Sequence, residues 1–190
     1  MRRHGLRWLS AAALGMTILA AGSLEPGGGI AGVALALDPV QVPPRSLTPD
    51  EIRGLQQGEE MGLARAAELN GYPGPASVLE AARSGKLDLY ADQRQAIERI
   101  QATAKAGAQS LGRELLAEEA ALEAGFRAGR IVEADVTRQI EDIGRKLAAL
   151  RLIHLRAHLQ TADLLRPQQI EEYYQFRGLA TPSSGHVLGY

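Results

Sequence analysis

Two long runs of helix-forming residues, divided only by Gly129-Arg130, constrain this chain more than any other feature. From about Ala91 to Ala128 the apolar positions Ile97, Ile100, Ala104, Leu111, Leu115, Leu122 and Phe126 recur at steps of three and four or their sums. After the break, Ile140, Ile143, Leu147, Leu150, His154, Ala157, Thr161 and Leu164 alternate strictly between the two steps. A helix turns once every 3.6 residues, so each run places its apolar side chains on one face, and the second reads as a heptad seam. Two such helices with a short connection predict an antiparallel α-hairpin, the first arm about 55 Å long at 1.5 Å per residue. Ala, Leu, Glu, Gln and Arg dominate this half, and Val, Ile and Thr never gather into an alternating run. The predicted fold class is therefore all-α, a long helical hairpin with short flanking helices.

The flanks divide by composition. Residues 1–36 read as a targeting segment: Arg2, Arg3 and Arg7 precede an apolar stretch from Trp8 to Leu24, and Ala34-Leu35-Ala36 fits a small-x-small cleavage site. The expectation is export to the periplasm, with membrane contact only through this segment if it stays uncleaved. Residues 37–46 carry Pro39, Pro43 and Pro44 and form a Pro-rich linker. Thr48-Pro49-Asp50-Glu51 starts a first helix expected to run to Asn70-Gly71. Tyr72-Pro73-Gly74-Pro75 makes a turn, Ser77 to Arg83 a short helix, and Pro167 to Arg177 the last one. The domain thus spans 47–179, followed by a flexible tail at 180–190. Cysteine is absent, which excludes disulfides, thiolate metal sites and a cysteine nucleophile. Beyond residue 36 there are 18 basic against 21 acidic residues, no signature of a nucleic-acid partner.

A helix-start pattern recurs at Leu47-Thr48-Pro49-Asp50-Glu51, Leu89-Tyr90-Ala91-Asp92-Gln93 and Leu165-Arg166-Pro167-Gln168-Gln169. The two Gln-ending copies bracket the hairpin. On these motifs, and on Glu60 to Pro75 and Tyr173 to Gly178, the chain resembles the LTXXQ-motif family of periplasmic proteins, which includes the Spy and CpxP chaperones and heavy-metal-resistance proteins. The resemblance implies a homodimeric cradle of helical hairpins that binds unfolded proteins without ATP, or takes part in envelope-stress or metal sensing with an envelope sensor protein as partner. Tyr90 and Arg166 depart from the family's capping Thr, and Ser77 stands where many relatives in the family branch that Glu60 to Pro75 resembles carry His.

Candidate sites follow from charge and spacing. Residues 114–142, around the hairpin tip, hold eight acids against three bases, whereas 94–113 and 145–166 together hold nine bases against two acids. Arg94, Arg99, Arg145, Lys146, Arg151 and Arg156 therefore form a basic surface suited to acidic partners or clients. Tyr173, Tyr174 and Phe176 either pack the last helix onto the hairpin or form an amphipathic client patch. His154 and His158, four residues apart on one helix face, could share zinc, copper or nickel, with Glu80, Asp163 or His186 as a conceivable third ligand. Alternatively, His154 is a buried seam histidine. No nucleophile stands in a catalytic motif, so no enzymatic activity and no required cofactor are expected.

Overall fold

The computed structural model describes residues 43–179, so the targeting segment, most of the linker and the tail lie outside it. Six helices follow in order: α1 Pro49–Gln57, α2 Arg65–Glu68, α3 Pro75–Arg83, α4 Ala91–Arg127, α5 Glu133–Leu164 and α6 Pro167–Arg177. Among the described residues there is no strand, and no helix is long and apolar enough to cross a membrane. The all-α expectation holds, with the 37-residue α4 and the 32-residue α5 packed as the long pair.

The expected first helix is shorter than its periodicity suggests. It starts as predicted, Thr48 Oγ1 accepting from the Glu51 amide and Glu51 Oε2 from the Thr48 amide. It stops at Gly58, which turns left-handed at φ 65°. Met61 and Gly62 also have positive φ, so the right-handed helix cannot continue through them. Only α2 resumes it, leaving residues 58–74 as an irregular strap. Gly58 is required here on a second count, since a Cβ would lie 2.7 Å from the Lys105 carbonyl oxygen. Contact is closer still at Gly112, where α4 passes directly under the Leu55 carbonyl.

Two apolar clusters hold the helices. Near the open end Val78, Leu79, Leu87, Ile97, Leu165, Ile170, Tyr173 and Tyr174 join α3, α4 and α6. Along the hairpin Leu55, Ala108, Leu115, Ile143 and Leu150 join α1, α4 and α5. Arg45 ties the entering chain to α4 through its amide and Nε, both bonded to Glu123. Arg45 and Arg127 together hold the Glu123 carboxyl down to about 2.

The two glutamines of the repeated motif meet in the interior. Gln93 Nε2 donates to Gln169 Oε1 at 3.0 Å, and Gln169 Nε2 returns the bond to Gln93 Oε1 at 3.0 Å. Each oxygen also accepts the amide at its own helix start, from Tyr90 and from Arg166 respectively. Each nitrogen reaches across to the other helix's approach, Gln93 to the Leu164 carbonyl and Gln169 to the Asp88 carbonyl. Both amides are thereby fully satisfied, as burial requires. The residues that stand in these two copies where Thr48 stands in the first also meet: the Arg166 guanidinium lies 4.8 Å from the centroid of the Tyr90 ring.

The heptad seam is buried only in part. Ile143, Leu150, His154, Ala157 and Thr161 face inward, but Ile140 and Leu147 are exposed. The packed neighbours cover one side of that line, so the edge that carries Ile140 and Leu147 lies open.

Candidate functional site

His158 fastens the strap to α5. Its Nδ1 lies 2.6 Å from the Tyr72 carbonyl oxygen and its Nε2 2.9 Å from Glu60 Oε2. A carbonyl and a carboxylate are both acceptors, and a neutral imidazole has a single N–H. Satisfying both contacts therefore takes an imidazolium paired with a carboxylate. Burial pushes the His158 pKa down, but the Glu60 bond, the Tyr72 carbonyl and the Glu68 charge outweigh it, and the net direction is up. The same bond pulls Glu60 below the usual carboxylate range against its own desolvation. Gly74 passes so close that a Cβ would sit 2.8 Å from His158 Nε2.

Glu68, at the end of α2, collects the neighbouring elements. Its Oε1 accepts from Tyr173 Oη at 2.5 Å and its Oε2 from the Gly74 amide at 3.2 Å, with His158 Nδ1 at 3.8 Å. Tyr174 Oη donates to the Glu68 carbonyl and accepts from the Gly71 amide. Both tyrosines are wholly buried, their rings edge to face at 5.5 Å. That is the packing role, and it corrects the client-patch expectation for Tyr173 and Tyr174: neither presents surface. Phe176 of the same helix is exposed.

His154 lies one turn before His158 but is differently placed. It is 7% exposed, and its Nε2 is buried with no hydrogen-bond partner. Desolvation holds its pKa below the ordinary value, so the ring is neutral near pH 7. Both histidines line a cavity of about 270 Å³ between the strap, the start of α3 and α4. Of the third ligands considered, Glu80 pairs with Arg83, Asp163 lines a separate open groove with Arg99, and His186 lies outside the described residues. Among the described residues no group of three His, Asp or Glu side chains could hold a metal ion. The acids at His158 are Glu60 and Glu68, which periodicity did not single out because both sit in or beside the irregular strap.

The basic candidates are mostly available at the surface. Arg99, Arg151 and Arg156 are exposed and Arg94 is half-buried. Arg145 is also exposed but bonded to Asp142, and Lys146 pairs with Glu118 at 3.1 Å. Beside them α5 carries apolar residues that no described element covers. Ile140, Leu147, Leu152 and Leu159 are 43–51% exposed, and Gly144 has open space where a Cβ would stand. At 100° per residue these positions, with Ala148, Arg151 and Leu155, share an arc of about 140°. Phe126 and Val132 extend the exposed apolar surface at the hairpin tip. Comparison of the chain with protein-family models, with curated proteins and with solved structures yields no match.

Proposed function

We propose that the chain is a periplasmic, ATP-independent chaperone-like protein of envelope stress, a homodimer of helical hairpins that binds unfolded chains. The observation that carries this reading is the apolar stripe on α5 that no described element covers, with Arg151 within it and Arg156 at its edge. Among the described residues nothing covers this stripe, and exposed apolar surface of this kind commonly serves association. An extended or amphipathic client segment would place apolar side chains on Leu147, Leu152 and Leu159 and acidic ones near the arginines. Non-directional apolar contact suits many clients because it demands no single complement.

The same stripe supports the homodimer. Read backwards its spacing repeats: Ile140 maps onto Leu159, Gly144 onto Leu155, Leu147 onto Leu152 and Ala148 onto Arg151. Two copies running antiparallel would match Ile140 with Leu159 and Leu147 with Leu152 about a two-fold axis, with Arg151 of each copy over Ala148 of the other, the self-complementary arrangement of a cyclic dimer. In that register Glu141 and Asp142 of one α5 would lie toward Arg156 of the other, and Glu133 toward Arg166. The stripe is self-paired at rest, and client binding competes with that pairing. Sedimentation of the protein alone and with a reduced, unfolded client tests this. A dimer that gives way to a protein–client complex and suppresses client aggregation is expected. A strict monomer that leaves aggregation unchanged would remove the proposal.

A further inference from the structure

We infer that the turn end of the hairpin is a docking surface for a phospholipid bilayer, with Phe126 and Val132 entering the headgroup layer and Arg130 meeting its phosphates. Phe126 is 59% exposed on the last turn of α4, and Val132 is 58% exposed at the N-cap of α5. No other large apolar side chain among the described residues is as exposed as these two. Between them Arg127-Ala128-Gly129-Arg130-Ile131 carries no acid. The turn holds a fixed form: Gly129 takes a left-handed φ of 63°, and Ile131 packs flush on α4, where a Cβ at Gly125 would lie 2.8 Å from its Cδ1. Side chains presented on a fixed turn lose little further freedom when they dock.

Charge at this end suits a zwitterionic headgroup layer. Glu123 is matched by Arg45 and Arg127, and Asp135 by Arg138. Among the described residues Arg130 and Glu133 enter no ion pair, so charges of opposite sign flank the apolar pair. A guanidinium forks onto a phosphate, and a carboxylate meets an ammonium, so phosphatidylethanolamine offers a partner to each. A macromolecule of one charge sign would leave one of the two opposed. Apolar side chains beside Arg are also the composition of segments that lie in this layer. The entry of the chain adds a separate indication. The Arg45 amide and Nε both bond Glu123, three residues before Phe126, and the sequence preceding Arg45 carries the apolar run Trp8 to Leu24. Where that run engages a bilayer, the tether raises the effective concentration of the tip at the same surface. The inference shares with the chaperone reading only the export of the chain, and it uses no residue of the stripe.

The chain has no cysteine, so the full-length protein accepts one environment-sensitive fluorophore at Ala128→Cys, on the turn, or at Gln175→Cys on α6 as reference. Each is titrated with vesicles of phosphatidylethanolamine and phosphatidylcholine. The label at residue 128 should shift to the blue and be quenched by a nitroxide placed near the headgroups, while the label at residue 175 stays unchanged. Phe126→Ser in the residue-128 protein should raise the half-saturating lipid concentration about tenfold, and Arg130→Gln should raise it several-fold. An equal response at both residues would assign binding to the N-terminal segment alone and overturn the tip site. So would saturation unchanged in Phe126→Ser, or a blue shift that grows with protein concentration without lipid, which marks a second copy as the occupant. Both substituted residues are exposed, and an unaltered circular dichroism spectrum separates a lost site from a lost fold. Client aggregation measured without lipid reports on the stripe alone, so a failure here is distinguishable from a failure of the chaperone reading.

Discussion

Replacing Gln169 by Leu should be among the most costly single changes in this protein. The substitution removes both bonds to Gln93, the bond to the Asp88 carbonyl and the bond from the Arg166 amide. It also leaves half of the buried Gln93 amide without a partner. At about 1 kcal/mol net per bond, with the orphaned groups adding their desolvation, the expected loss is about 3 kcal/mol. That corresponds to roughly a hundredfold change in the unfolding equilibrium. Urea denaturation followed by circular dichroism measures it, with Gln168→Leu on the exposed face of the same helix as control, expected within about 0.5 kcal/mol of wild type. Gln93→Leu should cost a similar amount, and the double variant less than the sum by about 1–2 kcal/mol, because the two amides complete each other. Strict additivity, or a loss no larger than that of the control, would refute the interlocked pair as the closure of the open end.

Further expectations concern the strap and the glycines. Because the folded His158 pKa is raised, its stabilisation is complete below the unfolded histidine value of about 6.5 and fades as pH rises through the folded value. Glu60 and His154 have lowered values, so their contributions fade on the acid side instead. Urea midpoints should therefore decline from neutral toward alkaline pH in wild type, and this decline should vanish in His158→Gln. Gly112→Ala should destabilise by about 2 kcal/mol, since its Cβ would strike the Leu55 carbonyl. Gly144→Ala, within α5 and facing open space, should instead stabilise by about 0.5–1 kcal/mol, and thermal melts of the two variants should move in opposite directions.

Periodicity conveyed the long elements because it reports directly on which side of a helix is apolar. The bounds of α4 fall within a residue of those expected, and α5 follows the Gly129-Arg130 break and ends at the last seam position, Leu164. What covers an apolar face is a tertiary fact, and there the reading by pattern stopped. Ile140 and Leu147 belong to the same repeat as Ile143 and Leu150, yet they are exposed because at 100° per residue they fall at the edge of the buried face. The helix expected up to Leu69 failed for a local reason, the left-handed run at Gly58, Met61 and Gly62. The repeated helix starts signalled capping, but the spacing alone did not say that Gln93 and Gln169 bond to each other. Likewise, the two-histidine spacing was legible, whereas the Glu60 and Tyr72 partners of His158 come from a segment without periodicity.

The most direct test of the proposed function places a photo-crosslinker at Leu152, in the middle of the exposed stripe, with a second at Gln175 on α6 as reference. Irradiation of the protein alone should join two copies through residue 152. Adding a denatured client should replace that product with a protein–client adduct, while residue 175 gives little of either. If residue 152 captures neither a second copy nor a client, or captures the client no better than residue 175 does, the stripe is not a binding surface and the chaperone reading loses its physical basis.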